Sequence, residues 1–357
     1  MGKSQRSLKG NKQMEKLTND QIREVVLAEQ RARNASESKT MLERKYKLVI
    51  AELEDAQRKL DIFTMVGNQA VKPIDIKPRL SKSKGEAVPV LVWSDWHCEE
   101  EVKPRTVSGK NKYTLAIAQS RATRVVQSSL KMMQEDAKDV TINDVAVFLI
   151  GDFITGNIHE ENVENAQLEP AYAIAFATDL LVSNINFLLA NTEWNYTFYC
   201  KVGNHSRITS KVRASTEEGN SLEYGLFGQL VREYKDNPRV RFHIEPSYFS
   251  IVNILGTRVR YHHGHAVAYG GGIGGLHIPL RKKIKSWNET GRANFDIMGH
   301  YHGFTENSTL KYMVNGSLIG YNAYAERIGC VLEPPIQGYC LIHKKYGVTR
   351  LTPIFAE

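Results

Sequence analysis

Two histidines one residue apart, His300 and His302 in "GHYHG" (299–303), follow the apolar run "FDIM" and sit between glycines. A lone histidine has many uses. A His-x-His at the end of an apolar run offers two imidazole nitrogens to one metal ion or one reaction centre. Four other apolar runs end in similar residues. "VLVWSDWH" ends in Asp95 and His97, "VFLIGDFITG" carries Asp152, "FYCKVGNHS" carries Asn204 and His205, and "RVRYHHGH" carries His262, His263 and His265. Each segment alone reads equally as a turn. The ordered set is the signal: Asp-x-His, Gly-Asp, Gly-Asn-His, His-Gly-His, Gly-His-x-His.

Carboxylate, imidazole and amide groups gathered in one place suit a pair of divalent ions. Two such ions about 3.5–4 Å apart need a bridging oxygen, which an aspartate supplies. Mixed His/Asp/Asn ligation suits Mn, Fe or Zn better than Ca or Mg, which take oxygen shells; Mn is the favoured choice. Two ions hold and deprotonate a water between them, neutralise phosphoryl oxygens and let hydroxide attack phosphorus in line. A histidine that is not a ligand can protonate the departing oxygen.

Such a cluster needs strands that end at one rim. The runs at 88–94, 145–151, 196–203, 249–255, 258–264, 295–299, 312–316 and 338–343 are rich in β-branched and aromatic residues and read as strands. Helical stretches at 112–134 and 170–190 lie between some of them. Strands alternating with helices, then closely spaced strands, predict an α/β (α+β) layered domain with a mixed sheet or two sheets over residues 88–357.

Ahead of it the chain differs. Residues 1–16 are polar and basic and read as disordered. Residues 17–66 lack proline and carry a heptad seam at Val25, Ala28, Ala32, Ala35, Lys39, Leu42, Tyr46, Val49, Leu53, Ala56, Leu60 and Phe63. A helix with one narrow apolar stripe needs a partner, so self-association through residues 25–63 is expected. Residues 67–87, with two prolines and several lysines, read as a linker.

The net charge of +8 is uneven. Residues 1–90 hold 19 Lys+Arg against 12 Asp+Glu, while the remainder holds 28 against 27. A basic arm on a near-neutral body suits contact with nucleic acid or another polyanion. The four cysteines form no C-x-x-C pair, which argues against a structural zinc module or a disulfide scaffold. With no apolar stretch of eighteen residues and no leader-like start, a soluble, cytoplasmic chain without membrane contact is expected.

The ordered set resembles the calcineurin-like metallophosphoesterase superfamily over about residues 88–320. The resemblance implies a four-layer αββα sandwich. It also implies a first metal held by Asp95, His97, Asp152 and His302, with Asp152 bridging. Asn204, His263 and His300 would complete a second, with His265 as the fallback ligand or a phosphate contact. His205 would be the general acid. "VNGS" (314–317) is similar to the family's Asn-Pro-Gly-Ser without its proline. Two departures stand out. Ser206 replaces the acidic residue that usually follows Gly-Asn-His, so the carboxylate that orients His205 must come from elsewhere. "GDFITGN" lacks the arginine of the protein phosphatase branch, which argues against a dedicated protein phosphatase.

Three functions fit these residues. A nuclease would use the basic arm with "SRITSKVR" (Arg207, Lys211, Arg213) and "RKKIK" (281–285) to follow phosphates, DNA being the favoured polymer. A small-molecule phosphoesterase would use the Gly-rich loop 270–275 as a lid and Arg281 as a phosphate clamp. A coiled-coil scaffold would keep the metal site only as a vestige. Glu160 and Glu161 read as loop surface.

Overall fold

The computed structural model describes residues 18–68, 84–269, 275–309 and 311–357. The chain divides into two units, residues 1–80 and 81–357. Among the described residues the first carries one helix, α1 (Asn19–Asn68). Its described side chains are exposed along its length, the seam residues Leu42, Tyr46, Val49, Leu53 and Leu60 among them. The reading of residues 1–16 as disordered, most of the linker and most of the Gly-rich loop lie outside the described residues. Of the expected linker, 85–87 already belong to the first strand.

The second unit is built on two sheets. The first holds β1 (Gly85–Trp93), β2 (Val140–Thr141), β3 (Asp144–Leu149), β4 (Asn195–Cys200) and β5 (Val240–Ile244). The second holds β6 (Ser250–Ile254), β7 (Thr257–Tyr261), β8 (Phe295–Met298), β9 (Thr305–Asn307) and β10 (Tyr312–Val314). Strands β11 (Ile336–His343) and β12 (Gly347–Phe355) then return to the first sheet, giving the order β12-β11-β1-β3-β4-β5 with β2 beside β1. In the second the order is β6-β7-β8-β10-β9. Neighbours β1, β3, β4 and β5 run parallel, because helical crossovers rather than tight turns join them. In the second sheet β7, β8 and β10 run parallel.

Alternation along β1 shows how the layers form. Val88, Val90 and Val92 face inward with Ala146, Phe148 and Ile150, meeting Val259, Tyr261, Phe295, Ile297 and Met313 of the second sheet. Leu91 and Trp93 point the other way and pack under helices α2 (Leu115–Asp136), α4 (Pro170–Asn191) and α5 (Leu222–Glu233). Short α3 (Glu160–Asn165) precedes α4. On the far side Leu280 of α6 (His277–Thr290) packs on Met298, Tyr312 and Val314. The last helix is α7 (Ala323–Ile328). The layers therefore run helix, sheet, sheet, helix, as the resemblance implied. Among the described residues α4 alone has the length and apolar composition to cross a membrane. Its Ala173, Ala177, Leu181, Ile185 and Leu188 are buried in the core.

Candidate metal centre

Every expected ligand sits just beyond the C-terminal end of a strand. Asp95 and His97 follow β1, Asp152 follows β3, and Asn204 and His205 follow β4. From the second sheet, His263 and His265 follow β7 and His300 and His302 follow β8. The chain bends hard at these points. Asp95, His97, Asp152, His300 and His302 all have φ between +47° and +74°. They are five of the eight non-glycine residues with positive φ among those described. Left-handed backbone is costly for residues with a Cβ, and it persists where the surroundings impose it, most often at functional sites.

Glycines beside these turns have a steric reason. A Cβ on Gly203 would land on the Asp152 carboxylate, and one on Gly299 would land on that of Asp95. The ligand loops touch, and only glycine lets them.

The side chains converge accordingly. Asp95, His97 and His302 each offer a ligand atom within 4.8 Å of one another, as do Asp152, His263 and His300. A third group joins His97, Asp152 and His205. Asp152 thus stands between the two clusters. His97 Nε2 and His302 Nε2 face each other at 3.1 Å. His263 Nε2 and Asp152 Oδ2 pair with each other at 2.8 Å, and the buried Oδ1 of Asn204 has no hydrogen-bond partner. Buried polar atoms are normally satisfied. An unpartnered amide oxygen among crowded carboxylate and imidazole groups suits a metal pair.

The surrounding hydrogen bonds set the tautomers. Thr155 Oγ1 donates to Glu100 Oε2 at 3.2 Å, so it accepts from His97 Nδ1–H at 2.9 Å. The carbonyls of Ile150 and Thr155 accept from His263 Nδ1 (2.7 Å) and His205 Nδ1 (3.0 Å). Each ring then presents Nε2 to the site, the usual arrangement around a metal-binding histidine. Asp95 takes hydrogen bonds from Ser94 Oγ and from His300 N, the latter at 2.9 Å. Ser94 Oγ in turn accepts from Asn315 Nδ2 at 2.8 Å, which gives the "VNGS" asparagine its place. Gln337, fully buried, accepts from Ser94 N at 3.0 Å and Trp96 Nε1 at 3.2 Å.

Electrostatics favour free lone pairs on His97, His300 and His302. Burial, then the neighbouring imidazoles, hold His97 and His300 well below the usual histidine range, and burial lowers His302 to about 4. Burial also opposes charge on His263, but the Asp152 carboxylate outweighs it and raises the ring to about 10. Asp152 is pulled up by burial but held well below the usual carboxylate range by His263 and His205. Asp95 is pushed up to about 7, chiefly by burial.

The remaining expected residues divide. His205 lies beside His97, ring centroids 4.8 Å apart. His263, not His265, faces Asp152. His265 is one step out, its Nε2 at 2.8 Å from Glu217 Oε1. Arg207 commits Nη1 to the Asn204 carbonyl and Nε to that of Thr209, so it braces the Asn204 loop. Lys211, Arg213 and Arg281 are exposed. Glu160 and Glu161 are exposed on α3, outside the cluster. Sequence reasoning missed Thr155, Gln337 and two buried carboxylates. Glu99 accepts from Thr155 N and Gly156 N, both at 2.8 Å, and Glu223 from Phe153 N and Gly203 N. Burial pushes each up to about 7.

Two sheets with helices outside, and the expected ligands meeting at their shared rim, are the arrangement that the resemblance to the calcineurin-like metallophosphoesterases implied. No family model matches the chain, and no curated protein does. Solved structures do. One is of an archaeal phosphodiesterase, 13% identical over 75% of this chain and 99% of that one, with a TM-score of 0.33. Another is a predicted phosphoesterase from Streptococcus pneumoniae, 11% identical over 75% and 98%, TM-score 0.29. A third is vacuolar protein sorting 29 from Entamoeba histolytica complexed with zinc, 11% identical over 76% and 100%, TM-score 0.27.

Proposed function

We propose that the chain is a metal-dependent phosphoesterase acting on the phosphodiester bonds of nucleic acid, DNA foremost. The observation that carries the hydrolytic part is the crowding of ligand atoms in one place: Asp152 Oδ2 against His263 Nε2, the unpartnered Oδ1 of Asn204, and the facing nitrogens of His97 and His302. Asp95, His97, Asp152 and His302 would hold one ion, and Asp152, Asn204, His263 and His300 the other. When bound, a pair of divalent ions lowers the pKa of water and neutralises phosphoryl oxygens; Mn is the favoured ion, with Fe and Zn the alternatives.

The chain's own groups do the rest. Asp95 is held by Ser94 and the His300 amide, and His97 by Thr155. His205, tied through Nδ1–H to the Thr155 carbonyl, keeps Nε2 for a proton that passes to the leaving oxygen. That carbonyl stands where a carboxylate was expected; Glu100 reaches Thr155 only through its hydroxyl. The buried ligand wall keeps bulk water from the far side of the cluster.

The nucleic-acid part rests on cations. Lys211, Arg213, Arg281, Lys282, Lys283 and Lys285 are exposed, and the N-terminal arm is basic. Such cations give salt-dependent, sequence-independent affinity for phosphates. The exposed seam of α1 supports self-association of two copies through residues 25–63.

The test is cleavage of end-labelled single- and double-stranded DNA by metal-stripped chain resupplied with Mn, with His205→Ala alongside. A ladder that needs Mn and is lost in the variant supports the reading. Intact DNA with a small chromogenic ester still hydrolysed would move the substrate to small phosphate esters.

A further inference from the structure

The chain departs from the expected pattern at Ser206, and the structure shows what that residue touches. Ser206 is buried, and its Oγ meets Ser221 Oγ at 2.7 Å. Leu222 N donates to the Ser206 carbonyl at 2.9 Å. These contacts dock the start of α5 against the Asn204–His205 loop. In the first turn of that helix stands Glu223, fully buried. Its Oε1 accepts from Phe153 N at 2.6 Å and its Oε2 from Gly203 N at 2.8 Å.

Those two amides belong to different loops. Phe153 follows Asp152, the ligand shared by both ions. Gly203 precedes Asn204, a ligand of the second ion, and stands two residues before His205. The loops already touch, since a Cβ on Gly151 would land on the Gly203 backbone. No lysine or arginine pairs with Glu223 among the described residues; its partners are the two amides. Two buried N–H donors facing two oxygens call for a carboxylate, because an amide side chain would turn an NH2 group on one of them.

We infer that Glu223 is a positioning residue for the metal pair: one carboxylate bonded to both loops fixes the Asp152 side chain relative to Asn204 and His205. It acts from sequence-distant α5, whose start is docked on Ser206. The inference rests on the proposed metal-dependent function. Outer partners of metal ligands govern ligand orientation, and losing one lowers metal affinity without removing a ligand.

The test is calorimetric titration of Mn into the metal-stripped full-length chain, as wild type, Glu223→Gln and Glu223→Asp, with melting temperatures measured on the same metal-free samples. The Gln variant, which keeps the shape and loses one of the two bonds, is expected to raise the Mn Kd about 10–100-fold. The Asp variant, which keeps the charge but falls short of one amide, is expected to lie between it and wild type. A lowered melting temperature with an unchanged Mn Kd would mark the carboxylate as merely structural and overturn the inference. So would failure of both variants to fold. A wild-type chain that binds no Mn would refute the metal reading itself, whereas wild-type binding with unaltered variants refutes only the role of Glu223.

Discussion

Thr155→Val removes one hydroxyl and almost nothing else, and the surroundings of that hydroxyl set the consequence. Thr155 is buried, and its Oγ1 accepts from His97 Nδ1–H at 2.9 Å while donating to Glu100. Valine has the same shape, so no cavity opens and no backbone bond is lost; the Thr155 carbonyl still holds His205. The loss is a buried imidazole N–H without an acceptor, which costs about 1–3 kcal/mol. For a domain of this size that corresponds to a melting temperature lower by about 2–4 °C per kcal/mol. The same bond keeps the lone pair of His97 on Nε2, so its loss should weaken Mn binding about 10–100-fold. The assay is hydrolysis of a chromogenic phosphodiester against Mn concentration. The variant should need more Mn for half-maximal rate yet approach wild-type rate at saturation, because bound metal then holds the ring. Thr155→Ser, which restores the hydroxyl, should behave as wild type. An unchanged Mn requirement in the valine variant, or a deficit that saturating Mn leaves in place, would refute the reasoning.

Other outcomes test neighbouring links. His205→Ala should bind Mn as wild type yet lose about 10²–10⁴ in turnover, the range for a general acid, read by metal content and rate on one preparation. Gly203→Ala drives a methyl into the Asp152 carboxylate; overpacking of this kind costs about 1–3 kcal/mol, and both melting temperature and Mn affinity should fall. Metal-free His263 is protonated near neutral pH because Asp152 raises it to about 10. Mn must displace that proton, so binding should tighten as pH rises from about 7 to about 9 with proton release, measured by calorimetry in buffers of differing ionisation enthalpy. His97, His300 and His302, already neutral, should contribute no proton. Removing residues 1–66 should lower the oligomer mass in light scattering and leave hydrolysis of a small chromogenic diester intact; loss of that hydrolysis would make the arm part of the catalytic fold.

The clustered side chains were legible because the residues that gather are announced locally in sequence. Each closely follows an apolar run whose β-branched and aromatic residues announce a strand, and glycines mark the tight approaches. The edge strands β5 and β12 were not legible. Both lie at the margins of the first sheet and mix buried with exposed residues, so neither shows a continuous apolar run. Pro353 inside β12 reads against a strand unless the strand is known to be an edge. The choice between His263 and His265 stayed open in the sequence, since both flank one glycine. The structure separates them through Asp152, which faces His263, and Glu217, which holds His265. Thr155, Glu99, Glu223 and Gln337 carry no local signature. Gln337 lies 243 residues from the Ser94 it holds, and only the folded chain shows that such groups meet.

This cluster is proposed to hold divalent ions and to hydrolyse phosphate esters with them. The most direct measurement is hydrolysis of a chromogenic phosphodiester by metal-stripped chain titrated with Mn, with bound Mn counted at each step. No hydrolysis is expected without metal, and the rate should rise to a plateau as the second Mn per chain binds. Hydrolysis that ignores Mn, or a chain that fills with Mn and cleaves no phosphate ester, would contradict the proposal.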